Sequence, residues 1–274
     1  MCANEVSLCL YGVGFKFFFA DKKTKDCFEG FFSPFLEEAS PEHVFLVEEE
    51  KIHLNGKPIS EPFPDASLLL DALISHMHGL LFEAVKEFLV IHAGAVKKDG
   101  RLFLFPGFSG SGKSTIVAWF ALNGWEYLGD DLVFVGFKDK KIYPYPTPLR
   151  LKDPPHKLRL ALENQSGLKI AQKFPCQGKP FYYLQPERVL KTCFDLAKLE
   201  TFIFPVFLPK APLSLKPFTA GDVFKALLSH AINFSSYPQE AFDLVFELSK
   251  KTPGREFTFS KLSHLDAILP EGRP

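Results

Sequence analysis

The sequence predicts an α/β fold over residues 66–274, with an N-terminal β-rich portion, residues 1–65, packed against it; no linker separates the two, and one integrated domain is the alternative. Three observations carry this expectation. Residues 5–19 and 43–60 read as strands broken by turn residues, with Asn55-Gly56 a strong hairpin signal. From Ser67 to Phe88 the apolar residues Leu70, Leu73, Ile74, Met77, Leu81, Val85 and Phe88 keep helical spacing. A glycine-rich stretch, Pro106–Thr115 (PGFSGSGKST), then follows an apolar strand and precedes a run of helical composition.

Composition narrows the class of partner. Lys+Arg and Asp+Glu number 32 each, so the formal net charge is zero and no surplus of cations is available for nucleic acid. No uncharged apolar run reaches the roughly 18 residues a membrane span needs, and an N-terminus with Glu5 and Lys16 does not read as a signal peptide. Five cysteines without CxxC spacing fit a reducing compartment, so a cytoplasmic location without a membrane partner is expected. The 31 phenylalanines point to a core packed with aromatics. Of 22 prolines, 16 fall from Pro144 onward, which predicts many loops and interrupted strands there.

The elements follow in order. LVIHAGAV and RLFLF form a hairpin about Asp99-Gly100, a preferred two-residue turn. That register sets His92 opposite Gly107. Ser111–Leu122 has helical composition and Asn123-Gly124 supplies its stop. WEYLGDDLVFVGF is strand-like, with its first part parallel to the strand at 101–105 through a right-handed crossover. The tail predicts helices near 221–233 and 238–251, a short strand EFTFS and a last helix near 261–268. His76 and His78, two apart on the helix after Ser67, lie on different faces and read as surface residues. The lysine pairs, Lys22-Lys23 among them, read as solvated turn surface.

Gly107-x-x-x-x-Gly112-Lys113-Ser114 is the phosphate-loop (Walker A) pattern. Its glycines (Gly107, Gly110, Gly112) let backbone N–H groups, with those of Phe108, Ser109, Ser111 and Thr115, converge on an anion. The next helix aims its positive end at the same point. Lys113 would bridge the outer phosphates of a nucleotide, and the Ser114 hydroxyl would ligate Mg²⁺. His92, opposite Gly107, would touch the reacting phosphate or its acceptor, or else be a hydrogen-bonded core histidine; geometry favours neither. Asp130 and Asp131 stand beyond the carboxyl end of a strand, where ligands of such sheets bind. Adjacent carboxylates are costly without a cation or a shared proton. One would hold the metal, Asp130 with Ser114 being the candidate set, and the other would accept a proton; which is base stays open. In PYPTPLRLK, Arg150 and Lys152 share a strand face and form a candidate phosphate clamp, solvated charges being the alternative.

IHAGAV, LFPGFSGSGKST and LGDDLVFV, in this order and spacing, resemble the HPr kinase/phosphorylase C-terminal domain and its shorter relatives over roughly residues 85–152. The resemblance implies a phosphate-loop kinase with a mixed β-sheet, related in architecture to PEP carboxykinase. It implies phosphoryl transfer from ATP with Mg²⁺ to a serine hydroxyl of a protein or peptide, with His92, Asp130 and Asp131 in the catalytic positions. It also raises the expectation of a homo-oligomer. The family's later glycine-rich segment ending in arginine, used in phosphate handling and HPr recognition, has no counterpart; LENQSGLKIAQKFPCQGK stands in its place. Phosphorylase activity and the HPr substrate are therefore left open. The alternatives are a small-molecule kinase and a non-catalytic ATP-binding regulatory module. A GTPase is disfavoured by the lack of Asn-Lys-x-Asp, and a eukaryotic-type protein kinase by the lack of His-Arg-Asp and Asp-Phe-Gly.

Overall fold

Tyr11-Gly12 and Asn55-Gly56 each place two residues at positive φ (50° and 89°, 49° and 79°), the geometry of tight hairpin turns. They organise the first of two compact units, Met1–Lys86; the second is Glu87–Pro274. The computed structural model describes residues 4–48, 50–63, 66–152, 154–164, 168–176, 179–186, 194–195 and 198–269.

In the first unit, β1 (Glu5–Leu10), β2 (Val13–Phe19), β3 (His43–Val47), β4 (Ile52–Leu54) and β5 (Lys57–Pro58) form one sheet in sequence order. Only β2 and β3 are parallel, and α1 (Lys22–Phe31) lies in the connection between them. Lys22-Lys23 therefore opens a helix and not a turn. Asp21 caps it by accepting from the Thr24 N–H at 2.8 Å, and Phe28 and Phe31 bury its inner face. Phe17 stacks on Phe45 (5.0 Å) and meets Phe28 (4.5 Å), so much of the phenylalanine content is core here. The next helix, α2 (Ala66–Ala84), buries Leu70, Leu73, Met77 and Leu81 at the expected spacing. It groups with the first unit, so the division falls after residue 86 and not at 65/66.

In the second unit the strands are β6 (Phe88–Ile91), β7 (Ala93–Lys98), β8 (Arg101–Pro106), β9 (Glu126–Gly129), β10 (Val133–Gly136), β11 (Lys141–Pro144) and β12 (Leu149–Lys152). There follow β13 (Leu168–Cys176), β14 (Lys179–Pro186), β15 (Phe194–Asp195), β16 (Leu199–Phe207), β17 (Ser214–Phe218) and β18 (Gly254–Phe259). The helices are α3 (Lys113–Leu122), α4 (His156–Asn164), α5 (Ala220–His230) and α6 (Pro238–Lys251); a 3₁₀ segment, Leu262–Ile268, closes the unit. The architecture is mixed α/β. Its six-stranded sheet has the order β17-β18-β16-β8-β7-β9, with β16 parallel to both β8 and β18. Alternation along β8 sends Phe103 and Phe105 into a core with Ile116, Val117 and Phe120 of α3. Leu102 and Leu104 enter another core with Val223 and Leu227 of α5 and Leu244 and Val245 of α6. The sheet is thus covered on both faces.

The β7–β8 hairpin has the register read from its turn: Lys98 pairs with Arg101 and Ala93 with Pro106, about Asp99 (φ 50°) and Gly100 (φ 78°). β9 runs in the direction of β8, but β7 stands between them. Two strand-like runs are each divided between two strands. LVIHAGAV divides at His92 into β6 and β7, and EYLGDDLVFVG divides at Asp130–Leu132 into β9 and β10. β7 and β9 belong to the six-stranded sheet, whereas β6 and β10 belong to a four-stranded sheet ordered β15-β11-β10-β6. One pairing register carries across both breaks, with Ala95 opposite Gly129 and Ile91 opposite Val133. Two neighbouring strands therefore leave one sheet for another side by side, and the interrupted residues face each other. Among the described residues no helix is long and apolar enough to cross a membrane.

Candidate functional site

The site forms where β8 ends, β9 ends and β7 begins, all at one end of the strands of the six-stranded sheet. The loop after β8 leads into α3, whose N-cap is Gly112 at φ 95°. That conformation suits glycine, and an added Cβ would collide with the Phe259 ring. Lacking a side chain, Gly112 caps nothing, so the first-turn N–H groups of α3 remain available to an anion. Gly110 also has positive φ, and Ser109 and Gly110 are exposed. Below the tip, the Ser111 N–H donates to the Phe108 carbonyl (3.2 Å), and the Ser111 carbonyl accepts from the Phe207 N–H at the end of β16 (3.1 Å). The buried Ser111 hydroxyl has no partner.

Lys113, only 4% exposed, donates from Nζ to the Phe108 carbonyl at 3.3 Å. Burial lowers its pKa, and the charges of Asp130 and Asp131 oppose that shift. Asp130 is 2% exposed. Burial first, and the neighbouring Asp131 charge second, push its carboxyl up to about 7. The Ser114 hydroxyl, which donates to it, the Lys113 ammonium and the Arg150 N–H (3.4 Å from Oδ2) work against that rise. Its Oδ1 is buried without a partner. Asp131 is far more open, its side chain 43% exposed, and its Oδ1 lies 3.9 Å from Nε2 of His92. His92 is held below its ordinary pKa by burial and by Lys113, partly offset by Asp131, so its imidazole is neutral at pH 7. The backbone at His92 is fixed on both sides: its carbonyl accepts from the Gly107 N–H (3.3 Å), and its N–H donates to the His230 carbonyl (2.8 Å).

The structure therefore brings together Lys113, Ser114, Asp130, Asp131 and His92, and leaves Thr115 within the first turn of α3. Arg150 reaches the group through its backbone N–H. The Lys152 side chain lies outside the described residues, so the clamp is not assembled from what is described. Sequence reasoning missed His230. It ends α5, 7% exposed, with its ring 4.3 Å from that of Phe108 and its Nδ1 buried without a partner. Burial, His92 and Lys113 together push its pKa down to about 4. No local pattern in SHAIN ties it to a loop more than a hundred residues earlier; only the pairing of residues 230–232 with β6 does so.

The donor set suits Mg²⁺. Asp130 offers an orphaned buried carboxylate oxygen and Ser114 a hydroxyl, and magnesium commonly takes one or two protein oxygens, completing its shell with phosphate and water. Among the described residues no cluster of three or more His, Cys, Asp or Glu forms a self-sufficient metal cage. Compared with known protein families and with curated protein sequences, the chain matches none.

Proposed function

We propose that this chain is an ATP-dependent phosphotransferase of the HPr kinase-like kind, acting on a hydroxyl, foremost a serine of a protein or peptide. In this reading the second unit is a phosphate-loop domain with a mixed sheet of the HPr kinase/PEP carboxykinase type, working in the cytoplasm. The observation that carries it is the placement of Asp130, buried against Ser114 and Lys113, beside the His92–Asp131 pair at the mouth of a glycine loop. A phosphate-binding turn alone has no use for two adjacent carboxylates, one buried and one open.

The loop N–H groups and the α3 N-terminus hold the nucleotide phosphates, and Lys113 leaves the Phe108 carbonyl to grip their outer oxygens. Ser114 and Asp130 would hold Mg²⁺, which supplies neutralisation of charge on the phosphates. Asp131, open to solvent, takes the proton of the acceptor hydroxyl. The hydroxyl oxygen bonds to the terminal phosphorus as the bond from phosphorus to the ADP oxygen breaks. Neutral His92 orients Asp131 and the incoming hydroxyl.

Lys113→Ala is expected to abolish nucleotide binding in a calorimetric titration. Asp131→Asn is expected to keep binding and to lose transfer to serine-bearing acceptors by about 10²–10⁴-fold, read with labelled ATP. Transfer at wild-type rate by both variants would sink the reading; ATP retained without turnover by the wild type would make the chain a nucleotide-responsive module.

A further inference from the structure

His230 is a strongly perturbed group beside the phosphate loop for which the catalytic scheme has no use. Its ring is buried, yet Nδ1 meets no donor or acceptor. Buried polar atoms are almost always partnered by protein, water or ligand, so this orphan can take a bound group as its partner. The ring does not float in apolar core. It lies against Phe108 at the tip of the phosphate loop (4.3 Å), and the Phe108 carbonyl takes the Lys113 ammonium (3.3 Å). Phe108 thus touches two groups able to donate to an anion, His230 through its ring and Lys113 through its carbonyl. The chain that carries His230 is also fixed at the site, since its carbonyl accepts from the His92 N–H (2.8 Å).

We propose that His230 is a further phosphate-binding residue, donating from its imidazole to an oxygen of the bound triphosphate. The inference rests on the nucleotide reading above. The groups acting on the imidazole explain why an anion is what is missing. The Lys113 ammonium from α3 disfavours a second cation beside it, so at pH 7 the ring is neutral and keeps one N–H to give. A polyanion beside Lys113 would neutralise that ammonium and give the ring N–H an acceptor.

Two substitutions separate donation from packing. His230→Phe keeps a ring against Phe108 and has no donor; His230→Asn removes the ring and keeps an N–H near the position of Nδ1. Affinity for the β,γ-imido analogue of ATP, with Mg²⁺, is measured by calorimetry for the full chain and both variants. Binding is expected to weaken about tenfold in His230→Phe and less than about threefold in His230→Asn. In ¹⁵N-histidine spectra of the wild type, the His230 ring resonances are expected to shift on adding the analogue, and not in Lys113→Ala. Should His230→Phe bind as the wild type does, or better than His230→Asn, with the ring resonances unmoved, His230 is a packing residue and this inference alone fails. If the wild type itself binds no analogue, the nucleotide reading fails with it.

Discussion

Asp130 shows most directly what the site costs the free protein. A carboxyl buried beside another carboxylate resists ionisation, and here it is pushed up to about 7. In an unfolded chain the same group titrates near 3.9. Between these values the folded state holds the extra proton, so this contribution to stability is full below about pH 4 and is lost as pH rises through 7. His230 acts in the opposite sense. Its pKa falls to about 4, so the unfolded chain protonates first, and its contribution is present above about pH 6.5 and lost as pH falls through 4. Asp130→Asn, which cannot ionise, is therefore expected to stabilise the ligand-free protein by about 1–3 kcal/mol at pH 8 and by little at pH 4. Calorimetric melting at the two pH values checks this; an equal shift at both would mean that Asp130 is not a strained charge.

At the scale of elements, the site is made by two breaks lying side by side. Had β6–β7 and β9–β10 each continued as one strand, His92, Asp130 and Asp131 would be ordinary ladder residues alternating in direction. The breaks release them at the strand ends where the phosphate loop begins. Gly94, just after the first break, lets α3 approach: a Cβ there would come within 2.5 Å of Val117 Cγ2. Gly94→Ala is expected to cost about 1–3 kcal/mol by displacing α3, and Val117→Ala in the same chain to recover most of it, in urea unfolding curves. The hairpin register was legible because Asp99-Gly100 is local turn chemistry. The break at His92 was not legible, because LVIHAGAV reads as one continuous strand; the strand end before Asp130 and Asp131 was legible, but not that LVFVG continues in another sheet. The buried state of Asp130 and the openness of Asp131 were equally hidden, since adjacent identical residues look alike until their surroundings differ.

Across the whole molecule, distant segments complete what the local ones begin. Asn233 is buried and acts as a surrogate strand for β6: its Oδ1 accepts from the Val90 N–H and its Nδ2 donates to the Phe88 carbonyl, each at 2.9 Å. The Ile232 N–H donates to the Val90 carbonyl at 2.8 Å, and the His230 carbonyl holds the His92 N–H. The end of α5 thus fixes the first break from outside the sheet. Asn233→Ala would orphan two backbone groups of β6, with an expected loss of about 2–4 kcal/mol in denaturant unfolding. In hydrogen exchange, the amides of Val90 and His92 are expected to lose protection before those of β8; unchanged protection there would show that α5 does not anchor the break.

By itself the sequence determined the parts whose causes are local: the glycine loop and the helix it opens, the two-residue turns, the paired aspartates and the helical face of α2. Only the tertiary structure decided that β7 stands between β8 and β9, that β16 joins the sheet beside β8, that α2 belongs with the first unit and that His230 reaches the loop. Turn and loop geometry depends on the residues within a few positions of each other. Strand order and the company of a buried side chain depend on pairings across tens of residues to more than a hundred, for which an apolar run carries no address.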